Sequence, residues 1–179
     1  MSIILIGYRC TGKTSVARQL GSRLMLPVID SDSVIEERTG KNVAEIFAQC
    51  GENVFRDIEE SVITDVLASG ETFVLSCGGG VILRQTNRQR LRSAGKVYWL
   101  TATPETIIER MRADTQSASL RPNLTVLTPL EEIKTLLTQR QPLYAETAHE
   151  TIETDHFTTD EIVDRMCRNE EVLTPTKGA

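Results

Sequence analysis

Several common signatures are missing from this chain of 179 residues. Positive charge is not in excess: 20 Lys and Arg face 25 Asp and Glu, a formal net charge of −5. Binders of nucleic acid or of anionic membranes need a basic field, so neither kind of partner is expected. Any anion site must instead be built from a few local cations. The four cysteines (Cys10, Cys50, Cys77 and Cys167) stand far apart, without a C-x-x-C pair or a histidine at ligand spacing. Neither a disulfide framework nor a zinc site is suggested. No apolar run approaches the ~20 residues of a membrane span, and Ile3–Ile6 is too short for a secretory core. A cytoplasmic location is the expectation. Internal repeats and low-complexity tracts are also absent. His149 and His156 are isolated and Trp99 lies within a strand-like run, so structural roles are expected for all three.

What is present is a regular alternation. Hydrophobic content of 40% and charged content of 25% suit one compact domain, which we place over residues 1–169. Strand-like runs occur at Ile3–Ile6, Pro27–Asp30, Thr72–Ser76, Val97–Thr101 and about Thr151–Thr154. Helical patterns lie between and after them, near Lys13–Met25, Ser31–Thr39, Val43–Cys50, Val54–Ala68, Gln85–Ala94, Pro104–Arg112, Pro129–Tyr144 and Thr159–Arg168. Such alternation predicts a parallel sheet covered by helices on both faces. Thr103-Pro104, Thr128-Pro129-Leu130-Glu131 and Thr158-Thr159-Asp160-Glu161 read as helix starts. Pro142 predicts a kink or break in its helix. The aperiodic stretch at about 112–128 has the length of a lid, and residues 170–179 read as a tail.

The most specific signal is Gly7–Thr14, G-Y-R-C-T-G-K-T, set between the Ile3–Ile6 run and a helical pattern. In the G-x-x-x-x-G-K-[ST] spacing, the glycines let a loop fold so that backbone N–H groups line a nest for phosphate. The helix that follows adds its partial positive charge. Lys13 reaches the β/γ-phosphates and the Thr14 hydroxyl is placed to ligate Mg²⁺.

Other residues could supply an acceptor side. Asp30-Ser31-Asp32 closes the second strand, where ligands of open α/β sheets lie. One carboxylate there can serve the Mg²⁺ shell and the other can take a proton from a hydroxyl; alternatively Asp30 or Ser31 merely caps a helix. Arg56 precedes Glu59 by three residues and Glu60 by four, off an apolar stripe of Val54, Ile58, Val62 and Val66. It reads either as an exposed ion pair or as a guanidinium oriented by Glu59 toward an anionic group. Gly78-Gly79-Gly80 follows the third strand, where close approach of main chain to a ligand favours consecutive glycines. Arg121, before Pro122, sits in the expected lid and can close onto a phosphoryl group. Arg140 lies just before Pro142, and Arg110 can stack on a planar base.

Taken in order, these elements resemble the shikimate kinases, small P-loop kinases related in architecture to adenylate kinase. The resemblance runs from Ile3 to about Arg168. It rests on Gly7–Thr14, Asp30-Ser31-Asp32, Phe55-Arg56-x-x-Glu59, Gly78-Gly79-Gly80, Arg121-Pro122 and Arg140-x-Pro142-Leu143-Tyr144. It implies a three-layer α/β/α fold around a five-stranded parallel sheet, with a substrate-binding helical segment at about 31–60 and the lid. It also implies transfer of the γ-phosphoryl of ATP to the 3-hydroxyl of shikimate, by a monomer. Cys10, Thr11, Gly12, Lys13, Thr14 and Ser15 would then hold ATP together with Arg110 and Arg121. Thr14 and Asp30 would serve Mg²⁺, and Asp32 would act as base. Arg56, Arg140 and the Gly78–Gly80 loop would hold shikimate. Three departures stand out. Cys10 occupies a position where the family usually carries glycine, the segment after Pro122 lacks a customary glycine, and Cys77 replaces the more usual threonine. If Cys10 requires positive φ, it carries strain of about 1–2 kcal/mol.

Overall fold

The computed structural model describes residues 1–113 and 128–171. Five parallel strands form its sheet: β1 (Ser2–Ile6), β2 (Val28–Asp30), β3 (Val74–Ser76), β4 (Gly95–Thr101) and β5 (Glu150–Glu153), in the order β2-β3-β1-β4-β5. In register, Ile3 stands beside Val74 and Lys96, and Leu5 beside Ser76 and Tyr98. The chain therefore switches direction across the sheet at β1. A crevice opens at such a switch point beyond the carboxyl ends of the strands, and the glycine loop after β1 enters it.

The helices are α1 (Lys13–Leu24), α2 (Ser31–Thr39), α3 (Val43–Leu67), α4 (Gln85–Ala94), α5 (Pro104–Ala113), α6 (Pro129–Thr147) and α7 (Thr159–Glu171). A 3₁₀ turn spans Val81–Leu83. Strand periodicity sorts β1 onto two cores. Ile3 and Leu5 pack with Val16, Leu20, Val163 and Met166, whereas Ile4 and Ile6 pack with Ile63, Leu75, Leu91 and Tyr144. All five residues of β1 are buried, as a central strand covered on both faces requires. Full burial of each branched aliphatic side chain contributes about 1.5–3 kcal/mol.

Helix starts agree with the sequence reading. Thr128 and Glu131 form a reciprocal capping box at α6, and Thr158 with Glu161 does the same before α7. A further capping box, Asn42 with Glu45, opens α3. Within α3, Gly51 adopts φ 81° and ψ 170°, dividing it into the two helical segments expected from the sequence.

Three expectations are corrected. The helix containing Pro142 does not break but continues to Thr147. Pro142 and Thr138, the residue whose carbonyl loses its helical partner, both lie on the exposed face, where water can satisfy that carbonyl. In α3, Val54 is exposed, and the inward face carries Phe55, Arg56, Glu59, Val62 and Ile63. Burial follows Phe55 rather than Val54. Glu170 and Glu171, assigned to the tail, still belong to α7. Most of the expected lid, with Arg121, lies outside the described residues. No helix among the described residues is long and apolar enough to cross a membrane.

Candidate active site

The phosphate side begins at the end of β1. A side chain at Gly7 (φ 146°) would collide with the Leu100 carbonyl oxygen on β4, so only glycine lets the chain turn there. The loop ends at Gly12, in the left-handed region, and α1 follows without a side-chain cap or an acidic residue in its first turn. By contrast, Asp30, Asn42 and Thr128 cap α2, α3 and α6. At the start of α1, therefore, no capping side chain competes with an anion. The Lys13 amine donates to the Tyr8 carbonyl at 2.7 Å, folded back over its own loop. Thr11 is buried and donates to the same carbonyl at 2.8 Å, whereas Thr14 and Ser15 are exposed at the start of α1. Cys10 adopts φ 60°, so the strain inferred from its identity is present. Arg110 donates to the Cys10 carbonyl (3.3 Å) and to the Thr154 hydroxyl (2.9 Å), which ties α5 to the loop.

Asp30, Ser31 and Asp32 divide three tasks. Asp30 Oδ1 caps α2 by accepting from the Asp32 and Ser33 amides. Its Oδ2 accepts from the Thr14 hydroxyl at 3.2 Å, and Thr14 Oγ1 is also 3.5 Å from Ser76 Oγ. The capping and metal-side readings of Asp30 are therefore compatible, one oxygen for each. Ser31 is fully buried and its hydroxyl accepts from the Gly78 amide at 2.9 Å, pinning the triple-glycine loop to α2. Asp32 lines the acceptor cleft beside that loop.

Across the cleft, Arg56 and Glu59 are buried rather than surface-exposed, which removes the exposed ion-pair reading. Arg56 Nη1 donates to Glu59 Oε2 at 2.7 Å, while its Nε and Nη2 donate to Glu52 at 3.3 and 3.1 Å. Three of the five guanidinium N–H donors are thus committed. Two remain, in a group oriented by carboxylates and packed on the rings of Phe47 and Phe55. Glu60, equally well spaced in sequence, faces Arg84 and Arg90 instead. Burial pushes the Glu59 carboxyl up to about 7, with Arg56 opposing the shift and Asp32 adding to it.

The glycine loop explains its own composition. A Cβ on Gly78 would lie 2.5 Å from Asp32 Oδ1, and one on Gly80 would lie 2.5 Å from Arg56 Cζ. Gly79 supplies its carbonyl, which accepts from the Tyr144 hydroxyl at 2.5 Å and Arg140 Nη1 at 3.4 Å. Tyr144 is fully buried and stacked on Trp99 at 5.5 Å; burial raises its phenol, which stays a donor. The helix through Pro142 thereby brings both Arg140 and Tyr144 to one backbone oxygen.

Of the sequence-derived site residues, Asp32, Arg56, Gly78, Gly79, Gly80 and Arg140 line one cleft; Cys10 to Ser15 form the glycine loop and the start of α1, with Asp30 bonded to Thr14 and Arg110 to the Cys10 carbonyl. Sequence reasoning missed Glu52, Arg9 and the aromatic walls Tyr8, Phe47 and Phe55. The E-x-x-x-R spacing from Glu52 to Arg56 was a usable signal; the others depend on long-range packing. Cys77 is buried against β1, and nothing in the structure explains its choice over threonine.

The family model described as shikimate kinase matches residues 9–170. A shikimate kinase of Thermodesulfovibrio yellowstonii is 40% identical over 98% of both chains. One from Paracidovorax citrulli is 46% identical over 83% of this chain and 80% of its own length. Among solved structures, shikimate kinase from Acinetobacter baumannii in complex with shikimate superposes with a TM-score of 0.88. Its identity is 34%, covering 97% of this chain and 94% of that one. The architecture, the paired phosphate and acceptor sides, and these likenesses agree: the chain belongs to the shikimate kinase family, and is an ATP-dependent kinase.

Proposed function

We propose that this chain transfers the γ-phosphoryl group of ATP to the 3-hydroxyl of shikimate. The observation that carries the reading is the convergence of Arg56, Arg140, Asp32 and the Gly78–Gly80 loop on one cleft beside the phosphate loop. A small ring with one carboxylate and several hydroxyls calls for that set. Arg56 and Arg140 bind the carboxylate, and main chain around Gly79 lies against the ring. Asp32 orients the acceptor hydroxyl and takes its proton. The complex of the Acinetobacter protein with shikimate supports the assignment.

On the nucleotide side, Lys13 leaves the Tyr8 carbonyl for the β/γ-phosphates, and amides from Cys10 to Ser15 cradle them. Arg110 packs on adenine with its edge held by Thr154, and Arg121 reaches the transferring phosphoryl group from the lid. Thr14 and Asp30 fit Mg²⁺, because a hard cation that keeps much of its water needs only one or two protein oxygens beside the phosphates. Among the described residues there is no group of three or more His, Cys, Asp or Glu for a dedicated metal cage, and this reading needs none. When bound, Mg²⁺ neutralises phosphate charge. We further propose a cytoplasmic monomer whose partners are small molecules, in keeping with the net charge of −5.

The test is ATP consumption with shikimate, gluconate or nucleoside monophosphates as acceptor. Shikimate alone should support rapid ADP release. Robust turnover of another acceptor with none of shikimate would overturn the proposal.

A further inference from the structure

Arg9 is the third residue of the phosphate loop, yet it lines the acceptor cleft. Its backbone amide lies 3.4 Å from the point where a Cβ on Gly79 would project. Its guanidinium sits 5.7 Å from the Tyr8 ring centroid, and that of Arg140 lies 6.0 Å from the same ring. Arg9 Nη2 approaches Glu132 Oε1, in the first turn of α6, at 4.0 Å. The two side chains are 20% and 3% exposed, so this is a largely desolvated ion pair at its outer limit, too long for a hydrogen bond. Arg9 Nε is buried and has no hydrogen-bond partner among the described residues. A half-buried guanidinium held by the Glu132 charge and the Tyr8 hydroxyl, with its Nε unbonded, keeps a donor for an anion.

Shikimate does not need this cation before transfer, because its one carboxylate is matched by Arg56 and Arg140. Transfer changes the balance. The γ-phosphorus gains a bond to the acceptor oxygen and loses its bond to the bridging oxygen of ADP, while the acceptor proton passes to Asp32. A phosphate ester of about two negative charges then sits on the acceptor, on the side facing the phosphate loop. We propose that Arg9 is the acceptor-side residue that holds this phosphate monoester, and that Glu132 keeps its guanidinium aimed into the cleft. The inference rests on the shikimate reading above and deepens it by assigning product recognition to a residue at a position that the G-x-x-x-x-G-K-[ST] spacing leaves open.

The test compares dissociation constants of shikimate 3-phosphate and shikimate, with ADP present, for wild type, R9M, R9K and E132Q. R9M should weaken shikimate 3-phosphate at least tenfold more than shikimate, and R9K should recover part of that selectivity. E132Q, which removes the charge that aims the guanidinium, should weaken shikimate 3-phosphate relative to shikimate, by less than R9M does. The KM for shikimate 3-phosphate in the reverse reaction should follow the same order. Equal weakening of both ligands in R9M and R9K, or no weakening of the phosphate ester, overturns the inference. A wild type that binds neither ligand and turns over no shikimate overturns the shikimate reading as well, which separates the two failures.

Discussion

Arg56 and Glu59 meet at 2.7 Å one helical turn apart, both buried, at the wall of the acceptor cleft. A buried ion pair is costly to desolvate and becomes more so when one partner is removed. Its presence here serves position: Glu59 and Glu52 hold a guanidinium whose remaining donors face the cleft. Asp32 stands close enough to Glu59 to push its carboxyl further up. The acceptor side is therefore a coupled set of two arginines and three carboxylates, rather than separate contacts.

That coupling makes stability depend on pH in a defined direction. The Glu59 carboxyl ordinarily titrates at 4.5 and is raised to about 7 in the folded protein by burial. Between those values the folded state keeps a proton that the unfolded chain has lost. Its stabilising contribution is complete below about pH 4.5, declines as pH rises, and is gone above about 7. Glu59→Gln is neutral throughout and lacks this dependence. Urea unfolding at several pH values should show the wild-type stability, minus that of the variant, falling by a few kcal/mol between pH 5 and 7.5. A constant difference would remove Glu59 as the titrating group.

Gly80 should be required for its lack of a side chain, not for backbone freedom. Its φ is −104°, which any residue tolerates, but a methyl group there meets the guanidinium of Arg56. Two carboxylates clamp that guanidinium, so it cannot swing aside without losing their hydrogen bonds. Gly80→Ala should raise the KM for shikimate roughly tenfold or more, the loss of one charge-assisted contact, with a much smaller change for ATP. Steady-state kinetics varying each substrate would check this. An unchanged KM for shikimate would argue that Arg56 does not hold the carboxylate.

Much of this site was legible because its parts are local in sequence. Gly7–Thr14 carries its geometry in eight consecutive residues, and Asp30 to Asp32 follow directly from the end of a strand. Arg56 and Glu59 could be paired from their spacing, but not buried, because burial depends on which elements pack against that face of α3. The Gly79–Tyr144 contact spans 65 residues, and Arg9 meets Glu132 only through the packing of α6 on the phosphate loop. No local period encodes either. Pro142 shows the converse case. Its propensity predicts a kink or a break, but the exposed position of the lost hydrogen bond lets tertiary packing carry the helix through to Thr147.

Cys10 offers a test of strain at a position that the general motif leaves free. At φ 60° a side chain costs about 1–2 kcal/mol relative to glycine. Part of this is offset by the greater freedom of glycine in the unfolded chain and by packing of Cys10 against the Tyr8 cluster. Cys10→Gly should therefore stabilise the protein by about 0.5–1 kcal/mol and retain turnover. Thermal unfolding with and without ATP would measure it. A drop in stability in both conditions would mean that packing of the thiol outweighs the strain.

The role proposed for Asp32 separates chemistry from binding. It lies in the first turn of α2, its amide bonded to Asp30 and its side chain against Gly78. It is thus positioned by the same residue that faces Thr14 on the phosphate side. Asp32→Asn keeps the size of the side chain and its ability to accept a hydrogen bond, but it cannot take the acceptor proton. General-base assistance contributes about 10²–10⁴-fold, so kcat should fall within that range. Affinity for ATP, measured by nucleotide fluorescence or calorimetry, should change less than threefold on the order-of-magnitude scale of a lost exposed contact. Restoration of turnover in Asp32→Glu, at a fraction of the wild-type rate, would further distinguish a proton acceptor from a purely structural carboxylate. Turnover near wild type in Asp32→Asn would instead place proton removal elsewhere, with the phosphate itself taking the proton after transfer.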